Sequence, residues 1–140
     1  MIKQAVPLYI RSDPAGDGHY GAPRGARTHR GVDYQCTPGC AVLSPVQGTV
    51  TKLGFPYADD LQWRYVQILD KDNTRHRLFY VLPGIVLGLP VEADQPIGCA
   101  QDISRRYPHK GMLPHVHYEC IDSIGEYINP TRFNTTYTAR

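Results

Sequence analysis

The sequence has few of the features that mark membrane, disulfide-rich or nucleic-acid-binding proteins. None of its apolar runs approaches the roughly 18 residues that a helix needs to cross a bilayer. Four cysteines in 140 residues are too few and too scattered for a disulfide scaffold. The formal net charge is only +2 and the chain has no dense Lys/Arg run, so we expect no nucleic-acid partner. These absences favour a globular protein that neither inserts into a membrane nor binds nucleic acid.

The beginning of the chain also has no apolar segment followed by a small-residue cleavage site. We therefore expect no secretion signal. We expect the protein to be synthesised in the cytoplasm and to act outside the cell only after lysis or delivery by another route.

The cysteines are given no role in the chemistry. Cys36 and Cys40 flank a Pro-Gly turn, a spacing compatible with two free thiols, a metal site or a disulfide. Without a secretion signal, two free thiols are favoured. Whether Cys36 pairs with Cys40, or Cys99 with Cys120, is left open by the sequence.

Glycine and proline are abundant, and they separate short runs with the composition of strands. The chain has 13 Gly and 12 Pro and is 41% hydrophobic, enough for a core divided by frequent turns. Residues 64–69 and 77–82 flank a polar stretch at 70–73, which predicts a hairpin. No segment shows helical periodicity over 11 or more residues. We predict an all-β, mainly antiparallel fold with residues 1–140 forming a single domain. Residues 11–31 form a long irregular segment, a type of loop that is usually functional.

Histidines provide the candidate chemistry, because two of the six are separated by a single residue. His115 and His117 are separated by one residue, so on a strand both would point to the same face. His29 and Asp33 form a second pair. Imidazole nitrogen and carboxylate oxygen are both zinc ligands, and three of them with a water make a catalytic site. Each pair alone is weak evidence. His19 and His76 are expected to be surface or core histidines.

The surroundings of these pairs resemble a known family, the lysostaphin-type (LytM-like) zinc metalloendopeptidases. That family has an H-x-G-x-D motif, a Pro-Gly turn, a V-x-A/S-P-x-x-G-x-V stretch and a final P-H-L-H-F-E strand. The matching segments occur here in the same order, between about residues 16 and 130: residues 29–34, Pro38-Gly39, residues 42–50, residues 88–98 and residues 114–119.

The resemblance implies a zinc ion held by His29, Asp33 and His117. It implies that His115 is an unligated catalytic histidine beside the zinc-bound water. Zinc lowers the pKa of its water towards 7, and a nearby imidazole can accept the proton during attack on a peptide carbonyl. The loop segment could add a donor to the substrate, with Tyr20 as the candidate.

One family feature is missing. A second catalytic histidine normally lies in a Y-x-H-L strand motif, and that position falls here on Val81 or Leu82. An apolar side chain cannot donate a hydrogen bond to an oxyanion. His109, in the long connection after Cys99, is one possible replacement, and Tyr80 or Tyr107 is another. The third alternative is that nothing replaces it.

The sequence therefore predicts a zinc-dependent hydrolase that cleaves peptide bonds in bacterial peptidoglycan. Its small size is compatible with a phage lysin that reaches the cell wall from a virion or a lysis system. The first alternative is a catalytically impaired zinc domain that binds cell wall or a protein partner. A structural component of a larger assembly is the second alternative. The bond that is cut and the oligomeric state stay open.

Overall fold

The computed structural model describes residues 9–133, which form short strands and two single-turn 3-10 helices, Ile103–Arg106 and Pro130–Phe133. The strands in this range are β1 (Tyr9–Ile10), β2 (Ser12–Asp13), β3 (Gly16–Asp17), β4 (Pro23–Arg24), β5 (Arg27–Thr28), β6 (Gly31–Gln35), β7 (Ala41–Leu43), β8 (Gly48–Gly54), β9 (Tyr65–Leu69), β10 (Arg75–Phe79), β11 (Val81–Pro83), β12 (Pro90–Val91), β13 (Pro96–Ala100), β14 (His115–Ile121) and β15 (Tyr127–Ile128).

The largest sheet has eight strands in the order β1-β6-β14-β10-β9-β8-β12, with β15 pairing β14 beside this path. Its strand pairs are antiparallel. A three-stranded sheet has the order β11-β13-β7, and β2-β3 and β4-β5 form two small ribbons. The fold is therefore all-β and mainly antiparallel, as the turn-rich sequence predicted.

The two faces of the eight-stranded sheet differ in character because successive side chains of a strand alternate between them. One side, called here the apolar face, carries buried residues that belong to one hydrophobic cluster: Val32 and Tyr34 of β6, Val116 and Tyr118 of β14, Leu78 of β10, and Val66 and Ile68 of β9. The opposite side, called here the polar face, carries Asp33, Arg77, His115, His117 and Glu119. The alternation thus separates the core from the candidate chemistry.

The three-stranded sheet packs on the apolar face. Val42 from β7, Val81 from β11 and Ile97 from β13 belong to the same hydrophobic cluster as Val32 and Val66. All five are at most 2% exposed. The core therefore lies between the two sheets and leaves the polar face open for a site.

The predicted hairpin is confirmed. Strands β9 and β10 pair from Leu69↔Arg75 to Tyr65↔Phe79. The turn between them closes where the Asp70 amide donates to the Thr74 carbonyl at 3.0 Å.

Two sequence expectations differ from the structure. The run at 77–82 is not one strand: β10 ends at Phe79, and Tyr80 has a φ of 69°. This left-handed backbone turns the chain, so that Val81 enters the three-stranded sheet opposite Ala100. Residues 11–31, expected to be irregular, contain the short β2-β3 and β4-β5 ribbons. No helix within residues 9–133 is long and apolar enough to span a membrane.

Candidate active site

The candidate site lies on the polar face, where the register of two strands brings its members together. In the β6–β14 pair, His117 lies directly opposite Asp33 and His115 lies opposite Gln35. His29 follows β5, and its ring centroid lies 5.1 Å from that of His117. Residues far apart in sequence are thus fixed on a common surface by ladder hydrogen bonds.

His29, Asp33 and His117 point their polar atoms at one another. His29 Nε2 lies 3.3 Å from Asp33 Oδ1 and 3.2 Å from His117 Nδ1. The distance from His117 Nδ1 to Asp33 Oδ1 is 2.8 Å. Within residues 9–133, these three form the only group of at least three His, Cys, Asp or Glu side chains close enough together to share a metal ion.

The donor set fits a zinc ion. Ligands at about 2.0–2.1 Å in a tetrahedron lie about 3.3 Å from one another, close to the separations of these three atoms. The other nitrogen of each histidine is also occupied. His29 Nδ1 donates to the His19 carbonyl at 3.0 Å, and His117 Nε2 donates to Glu119 Oε1 at 2.9 Å. These outer partners hold each ring in the tautomer whose inner nitrogen would bind an ion in place of its hydrogen bond to Asp33.

Asp33 is held in its ionised form. Burial alone would raise the pKa of this carboxyl group, but hydrogen bonds from His117 and His29 hold the pKa well below its ordinary value. Its other oxygen, Oδ2, accepts a hydrogen bond from Arg11 Nε at 3.2 Å. A buried, ionised carboxylate with one oxygen fixed by an arginine leaves the other for a cation.

Gly31 explains the glycine of the H-x-G-x-D motif. A Cβ atom at this position would lie 2.6 Å from the Tyr118 carbonyl oxygen and 2.7 Å from His117 Cε1. Contacts this short would push the His117 ring out of position. Glycine is therefore needed for the close approach of β6 to the imidazole.

His115 lies beside this group without joining it. Its Nδ1 donates to the Leu113 carbonyl at 2.8 Å, and its Nε2 lies 3.8 Å from Asp33 Oδ2. Burial lowers the pKa of His115, although the charge of Asp33 opposes the shift. The ring is therefore neutral near pH 7, with an unprotonated Nε2 facing the site, as a general base requires.

Tyr80 packs against His115, and the rings meet edge to face with centroids 5.6 Å apart. Its hydroxyl lies 3.2 Å from that of Tyr57, which in turn lies 2.7 Å from that of Tyr107. Burial raises the pKa of Tyr80 well above its ordinary value, so the phenol keeps its proton. A bulky residue with positive φ is strained, and such strain is concentrated at functional sites.

A cavity of about 330 Å³ opens over these residues. Its lining combines the metal-type ligands with His115, the tyrosines and arginines: Arg11, Arg24, Arg27, His29, Asp33, Tyr80, Ile103, Tyr107, Met112, His115 and His117. The loop segment 11–31 thus contributes four of the lining residues.

The structure does not bring the other two candidates from the sequence into this cavity. His109 is exposed, has a φ of 68°, and is absent from the described lining. The Tyr20 hydroxyl donates to the Tyr127 carbonyl at 3.3 Å, and Tyr20 is also absent from that lining. Of the proposed replacements for the missing histidine, the geometry favours Tyr80 and Tyr107 over His109.

Several participants were not foreseen from the sequence. Glu119 lies two residues after His117 on the same strand, so strand alternation already placed it beside that histidine. Arg11, Arg24 and Tyr57 had no such signal, because each reaches the site through the fold. The four cysteines, all within the described residues, form no disulfide, and Cys36 and Cys120 are buried.

Comparison with known proteins shows what the whole chain is similar to. No protein-family model matches the chain. Leukocyte cell-derived chemotaxin-2 of Mus musculus is 30% identical over 111 residues, which cover 79% of this chain and 72% of the relative. The Bos taurus protein of the same name is 26% identical over 110 residues, covering 79% and 71%.

Solved structures show the same fold. The catalytic domain of the antimicrobial peptidase lysostaphin from Staphylococcus simulans is 20% identical, with a TM-score of 0.64 over 85% of this chain and 88% of that domain. The A109H mutant catalytic domain of the prophage-encoded M23 protein EnpA from Enterococcus faecalis is 21% identical, with a TM-score of 0.64 over 90% and 95%. The chain therefore belongs to the same family as leukocyte cell-derived chemotaxin-2, and it has the fold of the lysostaphin-type peptidase domains.

Proposed function

We propose that this protein is a zinc-dependent endopeptidase that hydrolyses peptide bonds in bacterial peptidoglycan. The observation that carries the proposal is the group of His29, Asp33 and His117 with the neutral base His115 beside it. A binding site alone would need the three ligands but not an unligated imidazole with a free Nε2 aimed at the same cavity.

The three ligands would hold zinc through His29 Nε2, Asp33 Oδ1 and His117 Nδ1. When bound, the ion supplies a Lewis acid that polarises a carbonyl and lowers the pKa of a water. The chain supplies the rigidity of the site: Glu119, Arg11 and the His19 carbonyl fix the ligands from behind. Little reorganisation is then needed when the ion binds.

His115 moves the proton in this scheme. Its Nδ1–H is fixed on the Leu113 carbonyl, so Nε2 takes the proton from the attacking water. The same atom can return that proton to the leaving amine, which completes the hydrolysis of the peptide bond.

Tyr80 takes the place of the missing second histidine. Val81 and Leu82, the two residues on which the family's histidine position can fall, are apolar and have no donor, and Val81 is fully buried in the core. The hydroxyls of Tyr107, Tyr57 and Tyr80 form a chain, and donation in that order leaves the Tyr80 proton free for the oxyanion. Hydrogen bonds in such a chain polarise one another, and a donor at this point stabilises the charge of the tetrahedral transition state.

The choice of substrate rests on the structural relatives. Lysostaphin is described as an antimicrobial peptidase and EnpA as prophage-encoded. By analogy, residues 1–140 would act as one lytic domain on the peptides of the bacterial cell wall, with a phage lysis system as one route of delivery. At these sequence identities the structural likeness supports the fold, and the activity rests on the site.

A second candidate function is a zinc-containing binding module. Two observations favour it: an apolar residue, Val81 or Leu82, at the histidine position, and a relative named for chemotaxis rather than proteolysis. In that case, zinc would stabilise the polar face, and the cavity would bind a ligand without turnover.

Turnover on purified peptidoglycan decides between the two functions. The zinc-loaded protein should release new amino groups from at least one of a panel of peptidoglycans that differ in their cross-links. A chelator should stop the release and added zinc should restore it. No release from the whole panel by a protein with one bound zinc per chain would favour the binding module.

A further inference from the structure

Arginines give one wall of the cavity a positive charge that the proposed peptidase chemistry does not use. Arg24 and Arg27 face each other across the β4-β5 ribbon, where they are register partners. Both line the cavity with the metal-type ligands. Gly25, with a φ of 64°, turns the chain between them. The ribbon therefore presents two arginine side chains on one face, and both line the cavity that contains His29.

Arg11, the third arginine of the lining, is already neutralised. It is 4% exposed, and its guanidinium contacts Asp13 Oδ1 at 2.7 Å and Asp33 Oδ2 at 3.2 Å. These two contacts explain Arg11 as a support of the Asp33 ligand. It is not available to a ligand from outside.

Arg24 and Arg27 are not neutralised in this way. Arg24 donates to backbone carbonyls of Asp17 and Pro23, at 2.8 and 3.0 Å, and its closest acid is Asp33 at 3.7 Å. Within residues 9–133, the side chain of Arg27 has no hydrogen-bond or ion-pair partner and is exposed. Asp33 is the only acid in the described lining, and it is shared with Arg11 and the histidines.

Resting on the proposed function, we propose that Arg24 and Arg27 form a carboxylate-binding wall, so that the preferred peptide has a free carboxylate next to the bond at the zinc site. Paired guanidinium groups match a carboxylate in both geometry and charge. A divalent ion on the three ligands would increase the positive potential of the same cavity. A neutral peptide would leave this potential without a partner.

The position of Arg24 limits where the carboxylate can lie. Its guanidinium is 3.7 Å from a ligand carboxylate oxygen, and consecutive residues of a peptide are about 3.8 Å apart. A carboxylate on Arg24 therefore belongs to a residue within about one or two positions of the cleaved bond. It is either the C-terminal carboxylate of the peptide or an acidic side chain.

Equilibrium binding of matched peptides tests this wall without requiring turnover. The zinc-loaded, full-length His115→Ala variant, in which turnover is slowed, is titrated calorimetrically with an acetylated alanine tripeptide as free acid and as C-terminal amide. A second pair, capped at both ends, has a central Glu or Gln. We expect at least one acidic peptide to bind about tenfold more tightly than its neutral match.

The arginine variants assign that preference to the wall. Adding Arg24→Gln and Arg27→Gln together should abolish the difference and leave the affinity for the neutral peptide unchanged. Arg30→Gln is the control, because Arg30 is exposed nearby and stacks on Tyr127 instead of lining the cavity. This variant should keep the full preference.

Two results would overturn the proposal. One is equal affinity for the acidic and neutral members of both pairs. The other is a preference that survives the double substitution, because the carboxylate would then be bound by the ion. These outcomes are separable from the proposed function: turnover by the wild type with no carboxylate preference rejects only the wall, whereas preference without turnover rejects only the peptidase.

Discussion

Each face of the eight-stranded sheet carries a cluster of histidine and aspartate side chains, but only the cluster on the polar face is arranged to hold a metal ion. On the apolar face, His76 is fully buried, its Nε2 lies 2.8 Å from Asp70 Oδ2, and its Nδ1 lies 2.7 Å from the Tyr118 hydroxyl. On the polar face, His29 and His117 each use one nitrogen for a fixed partner and turn the other towards Asp33.

The difference shows that residue type alone does not make a metal site. Both clusters contain histidine and aspartate in close contact. In the apolar cluster, the two nitrogens of one fully buried ring bond to different partners, so several ligand atoms do not converge on one point. In the polar cluster, the inner nitrogens of His29 and His117 converge on Asp33 Oδ1 beside an open cavity, where an ion can replace their contacts with one another. The first cluster should therefore act on stability and the second on chemistry.

The largest expected effect comes from comparing a histidine-to-alanine substitution on one face with the same substitution on the other. His117→Ala should remove bound zinc and abolish turnover, because it deletes one of three ligands. His76→Ala should keep zinc but lower the free energy of unfolding by about 2–4 kcal/mol, since it leaves a cavity and unpaired buried polar groups. Metal analysis and urea denaturation measure the two effects. Loss of zinc from both variants would remove the distinction between the faces.

A substitution within the polar face separates ligation from catalysis. His115→Ala should lower the rate of peptide release by about 10²–10⁴-fold, the usual cost of losing a general base. Zinc content should stay at one per chain, because His115 does not belong to the ligand group. Loss of zinc in this variant would instead make His115 a ligand.

A smaller effect should result from removing one hydroxyl. Tyr80→Phe should reduce the turnover rate by about 10²–10³-fold, as for other oxyanion donors, with little change in KM. Tyr107→Phe is the matched control, because its hydroxyl reaches Tyr80 only through Tyr57. Its effect should be weaker. Equal and small effects in both variants would reject Tyr80 as the donor.

The smallest effect concerns the pH dependence of stability. Burial lowers the pKa of His76 from its ordinary 6.5, even though Asp70 acts in the opposite direction. Below about pH 6.5 the unfolded chain therefore gains a proton that the folded protein resists, so the free energy of unfolding falls as pH decreases.

The variant His76→Gln isolates this contribution. Urea denaturation of the metal-free proteins at several pH values between 5 and 7 should show a shallower loss of stability in the variant than in the wild type. Identical slopes would mean that His76 does not titrate differently in the folded and unfolded states.

Much of this arrangement was predictable from local pattern. Alternation placed His115 and His117 on one face, and the polar stretch at 70–73 marked the hairpin confirmed between β9 and β10. The family resemblance suggested His29, Asp33 and His117 as ligands, and the register of β6 and β14 shows why Asp33 and His117 meet.

The rest depends on contacts that sequence spacing does not encode. The left-handed backbone of Tyr80 ends β10 early and turns the phenol towards His115, an event that the run at 77–82 did not reveal. Arg11 contacts Asp33 across 22 positions of sequence. Arg24 and Arg27 likewise reach the cavity only through the fold. From composition alone, both would be assigned to an ordinary charged surface.

Anomalous diffraction from crystals of the zinc-loaded protein, recorded on both sides of the zinc absorption edge, tests the central claim most directly. We predict one anomalous peak per chain on the polar face, at about 2.0–2.2 Å from His29 Nε2, Asp33 Oδ1 and His117 Nδ1. A single peak at Cys36 and Cys40, or at His76 on the apolar face, would contradict the assignment of the metal site.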